Sequence, residues 1–213
     1  MPFDFLKRKK APASKAASAP AAAPEQGIPF DGFTEDWRLV GRMLVKSRLS
    51  DALNKRDPLD ILDVRWAPID GSAPLVPAPG LKSVDPYDLI LVLTGDVSLP
   101  DSGDDERAAH RVHKVSYEVA LEVPPYRVIG TVLLYPGSEP DSLLNRSSEM
   151  FVPIVDATAT LGDKPLGDGA TGAILVNRAY LRGVEQVDAR TGERHEKLPG
   201  ASLGGTNWTD RAR

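Results

Sequence analysis

At 213 residues and 41% hydrophobic content, the chain has material for one medium domain or two small ones, each with a packed core. The absence of cysteine excludes disulfides, thiolate metal sites and a cysteine nucleophile, and it suits a reducing cytoplasm, the location expected here. Residues 1–26 set five basic side chains against Asp4 and Glu25, a net +3, so the rest of a chain of formal charge −4 carries −7, and such an acidic body repels phosphate backbones.

The chain opens MPFDFLKRKK and continues APASKAASAPAAAPEQ, a stretch without the large apolar residues that offset the entropy of ordering. Prolines 12, 20 and 24 block a continuous helix, so residues 1–26 are expected to form a disordered basic tail. Lys7, Arg8, Lys9 and Lys10 follow Phe3, Phe5 and Leu6, which suits polyanion contact or weak, reversible attachment to an anionic membrane surface. Pro2 excludes myristoylation, and the longest apolar run of the body, Leu89–Leu93, is far short of the roughly 20 residues of a membrane helix.

Next comes a repetition. WRLVG from Trp37 returns as YRVIG from Tyr126; Leu53-Asn54-Lys55 returns as Leu144-Asn145-Arg146; Leu62-Asp63-Val64 returns as Val155-Asp156-Ala157. The spacing between copies drifts from 89 to 93, which two small insertions explain. Ile90-Leu91-Val92 and Ile174-Leu175-Val176 form a weaker third echo. Taken alone, the stretch from Thr34 could be an amphipathic helix. Its second copy is β-branched and is bounded by Pro124-Pro125 and Pro136-Gly137, which predicts a strand in both.

Each copy should then make a short helical turn at SDALN or DSLLN, capped by Ser47 or Ser50 and by Ser138 or Asp141. A second strand follows near Leu59–Ala67 or Met150–Thr160, and a third near Asp88–Leu99 or Ala173–Val184. Between the copies, Val115, Tyr117, Val119, Leu121 and Val123 alternate with polar residues at period two, the pattern of a strand with one dry face. The expected fold is all-β: two tandem barrel-like or sandwich-like repeats with short helical turns. Repeat 1 covers 27–108, a linking strand and repeat 2 cover 109–187, and 188–213 form a flexible tail.

The segments RLSDALN and FVPIVDATAT resemble a small uncharacterised bacterial β-domain of unknown function that often follows a basic N-terminal tail. The likeness spans residues 34–99 and 124–187 and departs after Asn54, where KRDPLDILDV stands in place of RSSEMFVPIVDA. It implies a fold and supplies no catalytic residues.

Several short motifs match known signatures in part. Gly167-Asp168-Gly169-Ala170-Thr171-Gly172 fits a dinucleotide fingerprint, but a strand-like run follows it where that motif needs a helix. Gly200-Ala201-Ser202-Leu203-Gly204 fits a nucleophile elbow, yet no histidine follows Ser202 to activate it. His110 and His113 point to opposite faces of a strand, and the neighbouring run Asp101, Asp104, Asp105 and Glu106 lacks calcium-loop spacing. Arg38 and Arg42, with Asp70 and Ser72, resemble the cyclic-dinucleotide signature of PilZ domains, although Leu75 replaces its final glycine. Asp63 and Asp156 occupy apolar strand positions, which suits a structural role at a turn.

The reading that follows is a non-enzymatic binding or adaptor protein that needs no cofactor or metal and has protein partners. Self-association is left open, and no aromatic-basic face for nucleic acid is indicated. The alternative is a nucleotide sensor that uses Arg38 and Arg42.

Overall fold

The computed structural model describes residues 27–94, 114–145, 149–167 and 171–188. In the first half the elements are β1 (Ile28–Phe33), β2 (Trp37–Met43), α1 (Leu49–Asn54), β3 (Leu59–Pro68), β4 (Val76–Pro77), β5 (Ser83–Val84) and β6 (Leu91–Thr94). The second half holds β7 (Val115–Val123), β8 (Tyr126–Leu134), β9 (Phe151–Leu161), β10 (Lys164–Pro165), β11 (Thr171–Asn177) and β12 (Gly183–Gln186), with a 3₁₀ turn at Pro140–Leu144. Among the described residues no helix is long and apolar enough to cross a membrane.

All strands belong to one open antiparallel sheet with the order β12-β7-β8-β9-β11-β6-β1-β2-β3-β4. The expectation of an all-β chain therefore holds, and among the described residues the strands form one open sheet rather than two separate closed barrels. The reason is the pairing of β6 with β11, which spends the edge of each half on the other.

The halves correspond strand for strand. Every β1–β2 partnership recurs 89 positions later in β7–β8, as Phe33 opposite Arg38 becomes Glu122 opposite Arg127. The β2–β3 register recurs in β8–β9, Trp37 opposite Pro68 becoming Tyr126 opposite Leu161. β5 sits on β3 as β11 sits on β9, Leu59 opposite Val84 becoming Val152 opposite Val176. β6 sits on β1 as β12 sits on β7, Phe33 opposite Leu91 becoming Glu122 opposite Gly183. Apart from the two-residue strands β4 and β10, each half is thus a unit of five strands in which the last returns to pair with the first.

This register corrects two expectations. The strand from Val115 is no linker, because it is the second half's counterpart of β1, an element the sequence pattern did not reveal. Nor is the echo between Ile90-Leu91-Val92 and Ile174-Leu175-Val176 a repeat correspondence, since these strands pair directly, Val92 opposite Leu175. Their likeness has a physical cause. Leu91, Leu93, Ile174 and Val176 enter one core, while Val92 and Leu175 on the opposite face enter the other. Strands buried on both faces read as continuous apolar runs.

The repeated glycine and aspartate make one device. Opposite Gly41 and Gly130 the register slips by one residue, and the extra residues on β3 and β9 fall at Asp63 and Asp156, with φ of 52° and 50°. This is a β-bulge whose left-handed position tolerates Asp far better than a β-branched residue. The role of these acids lies in the backbone; both side chains are exposed. Asp156→Val is expected to unfold about 1–2 kcal/mol more easily than Asp156→Gly in urea, since only the former is strained at positive φ.

The two helical turns fall where expected, but neither has a side-chain cap. Their N-cap residues are Arg48 and Glu139, and buried Leu49, Leu53 and Leu143 anchor the turns from below.

Candidate functional site

A cleft of about 570 Å³ opens where the halves meet. Its floor is the outer face of the central strands: Thr94 of β6, Ala173 and Leu175 of β11, and Pro153 and Val155 of β9. On this face the second core, with Val92, Phe151 and Leu175, gives way to solvent.

One wall is α1, which presents Arg48, Ser50 and Asp51. It is fixed in place by Asn54, whose amide donates to the Phe151 carbonyl at 3.1 Å and whose oxygen accepts from the Phe151 N–H at 2.7 Å. The opposite wall is the end of β8, where Leu133 and Tyr135 remain 45% and 60% exposed. The Lys114 ammonium lies 5.2 Å from the Tyr135 ring centroid and so places a cation on this rim.

Arg178 closes one end. It is buried, and it donates from Nε to the Leu143 carbonyl and from Nη2 to the Ser142 carbonyl, both at 2.7 Å. These bonds bind the C-terminal end of the 3₁₀ turn, where carbonyls lack helical partners. Burial lowers the guanidinium's pKa, and Glu149 opposes that shift. Arg178 thus shapes the wall of the cleft. A second exposed feature lies on the β2–β3 ribbon, where Trp37 and Trp66 stack at 4.7 Å between centroids.

No family model matches this chain. Curated proteins and solved structures likewise yield no match. The residues themselves therefore carry the functional argument.

The arginine signature is not brought together. Arg38 holds Asp31 through a two-pronged contact, Nε to Oδ1 at 2.9 Å and Nη2 to Oδ2 at 2.6 Å, and its guanidinium lies 5.7 Å from the Phe33 ring centroid. Arg42 is exposed opposite Leu62, whereas Asp70 lies beyond Pro68, at a strand's rise of about 3.3 Å per residue roughly 20 Å away. Asp70 accepts from the Ser72 N–H at 2.8 Å in an exposed turn, and its hydrogen bonds to Ser72 hold its pKa below the usual value. That is the local bonding of an Asx-turn.

Lys7, Arg8, Lys9 and Lys10 lie outside the described residues, as do all three histidines, the acidic run at 101–106 and the elbow-like motif at 200–204. The glycine fingerprint is described only at Gly167, Thr171 and Gly172, and β11 starts at Thr171 where a helix would be needed. Among the described residues no three His, Cys, Asp or Glu side chains converge. The sequence reading missed the cleft, since Arg48, Lys114 and Tyr135 belong to no motif. One signal was present: SDALN was read as a helical turn, and its register against the second half puts it at the joint.

Proposed function

We propose that this chain is a non-catalytic binding protein, an adaptor that holds an extended protein segment in the cleft between two tandem copies of a small curled β-unit. In this reading the basic N-terminal tail tethers the chain to an anionic surface. The observation that carries the proposal is the composition of the cleft: an apolar floor on paired strands, and a rim with exposed Leu133 and Tyr135 beside charges of both signs. Its volume falls within the roughly 300–1,000 Å³ usual for ligand sites. Exposed apolar side chains ringed by polar groups are the usual mark of an interaction surface.

A displayed library of random peptides, panned against the wild-type chain, should yield binders that lose at least about tenfold in affinity for Leu133→Glu, a loss of about 1.4 kcal/mol. Leu133 is half-exposed, so the variant's far-ultraviolet spectrum and melting temperature should match the wild type. Binders that recognise both proteins equally would place the site elsewhere.

A further inference from the structure

The N-terminal segment joins the fold at the end of the sheet where the cleft lies. β1 runs antiparallel to β6, Asp31 opposite Leu93, so β1 begins where β6 ends at Thr94, a residue of the cleft floor. By that register Gly27 stands three positions past the level of Thr94, roughly 10 Å at a strand's rise of about 3.3 Å per residue. On its other side β1 pairs Ile28 with Met43, the last residue of β2, and five residues beyond Met43 comes Arg48, at the α1 wall.

The composition of residues 1–26 is divided. Every large apolar residue falls among the first six, namely Met1, Phe3, Phe5 and Leu6, and the twenty residues that follow hold none. A coil of twenty residues spans roughly 25 Å, more than the gap to the cleft. A ligand held on a spacer of that length acts at an effective concentration in the millimolar range.

The tip also suits the cleft in chemistry. When extended, it sets Phe3 and Phe5 on one side and Asp4 on the other. For the rings the cleft offers Leu133, Tyr135 and Val155, none of them buried. For the carboxylate it offers the exposed cations Arg48 and Lys114, and exposed Asp51 suits the basic run that follows at Lys7–Lys10.

We infer, resting on the cleft as the site proposed above for an extended protein segment, that residues Phe3–Leu6 of the same chain occupy it until a partner segment displaces them. The tail then regulates the site as well as tethering the chain. An anionic surface that engages Lys7–Lys10 draws the tip away and frees the cleft.

Because the chain lacks cysteine, Pro2→Cys carries a single nitroxide label beside the tip of the full chain. In isotopically labelled protein the nitroxide should broaden the amides of Ser50, Leu133, Tyr135 and Val155 and leave that of Trp66, at the far end of β3, sharp. Phe3→Ser combined with Phe5→Ser should abolish this selectivity. A panned peptide whose binding needs Leu133 should bind that double variant at least about threefold tighter than the wild type, because a covered site lowers apparent affinity by the fraction left free. Nitroxide-bearing chain mixed with separate isotopically labelled chain should broaden nothing. Cleft amides as sharp as that of Trp66, broadening that survives the double variant, or broadening in the mixture would each overturn the inference. Leu133-dependent binders without selective broadening would remove the tail's occupancy alone, whereas selective broadening without any such binder would uphold it and remove the adaptor reading.

Discussion

Gly130→Ala should lower the free energy of unfolding in urea by about 2 kcal/mol, while Gly80→Ala leaves it unchanged or slightly higher. At Gly130 a Cβ would stand 2.8 Å from the Ala157 Cβ, 2.8 Å from the Ile154 Cγ2 and 2.9 Å from the Ala157 Cα. Two of those atoms are fixed by the backbone, so β9 itself must move, and overpacking of this sort costs about 1–3 kcal/mol. The gain from a less flexible unfolded chain is only about 0.4–1 kcal/mol, so the clash wins. At Gly80 nothing lies within 4 Å, and only the gain remains. The bulge explains the close approach, for the extra residue at Asp156 brings β9 up against β8 at that point. Equal stability of the two variants would mean that the strands do not approach so closely.

Asn177→Ala should cost about 3 kcal/mol, several times the cost of Asp85→Ala. The two residues correspond in the halves and do the same local work. The Asp85 carboxylate accepts from the Tyr87 N–H at 2.9 Å, and the Asn177 oxygen accepts from the Ala179 N–H at 3.0 Å. Their surroundings differ. Asp85 is exposed, so water replaces its side chain, and loss of such a cap typically costs about 1 kcal/mol. Asn177 is fully buried at the joint, and its amide also donates to the Leu89 carbonyl at 2.8 Å. Removing it takes the cap from the Ala179 N–H, worth about 1 kcal/mol, and also strands the buried Leu89 carbonyl, worth about 1–3 kcal/mol. Chemical denaturation of the two variants side by side reads the difference, and equal losses would argue against a buried joint.

Much of the fold was legible because strand periodicity and repetition reinforce each other. The second copy resolved the helix-like stretch at Trp37, and β2, β3, β8 and β9 fall within a few residues of their expected bounds. Other parts were hidden for physical reasons. β1 holds six residues, Gly32 among them, which is too short and interrupted for alternation to stand out. The helix caps were misplaced because hydroxyls and carboxylates mark turns only where nothing else holds them, and here buried leucines do. The pairing of β6 with β11 was unreadable in principle, since two double-faced apolar runs look like copies of each other whether they correspond or touch. The cleft depends on that pairing, so its residues carried no motif. Arg38 looked like a phosphate ligand only while its partner Asp31 lay in an unrecognised strand.

The central claim is one sheet in which β6 bridges the halves. Interstrand nuclear Overhauser contacts across β6 test it most directly in isotopically labelled protein. Val92 should show backbone cross-peaks both to Gly32 on one side and to Leu175 on the other, with Leu93 reaching Ile174. Cross-peaks that join β6 to β1 alone, with β11 paired only to β9, would leave two independent units and contradict it.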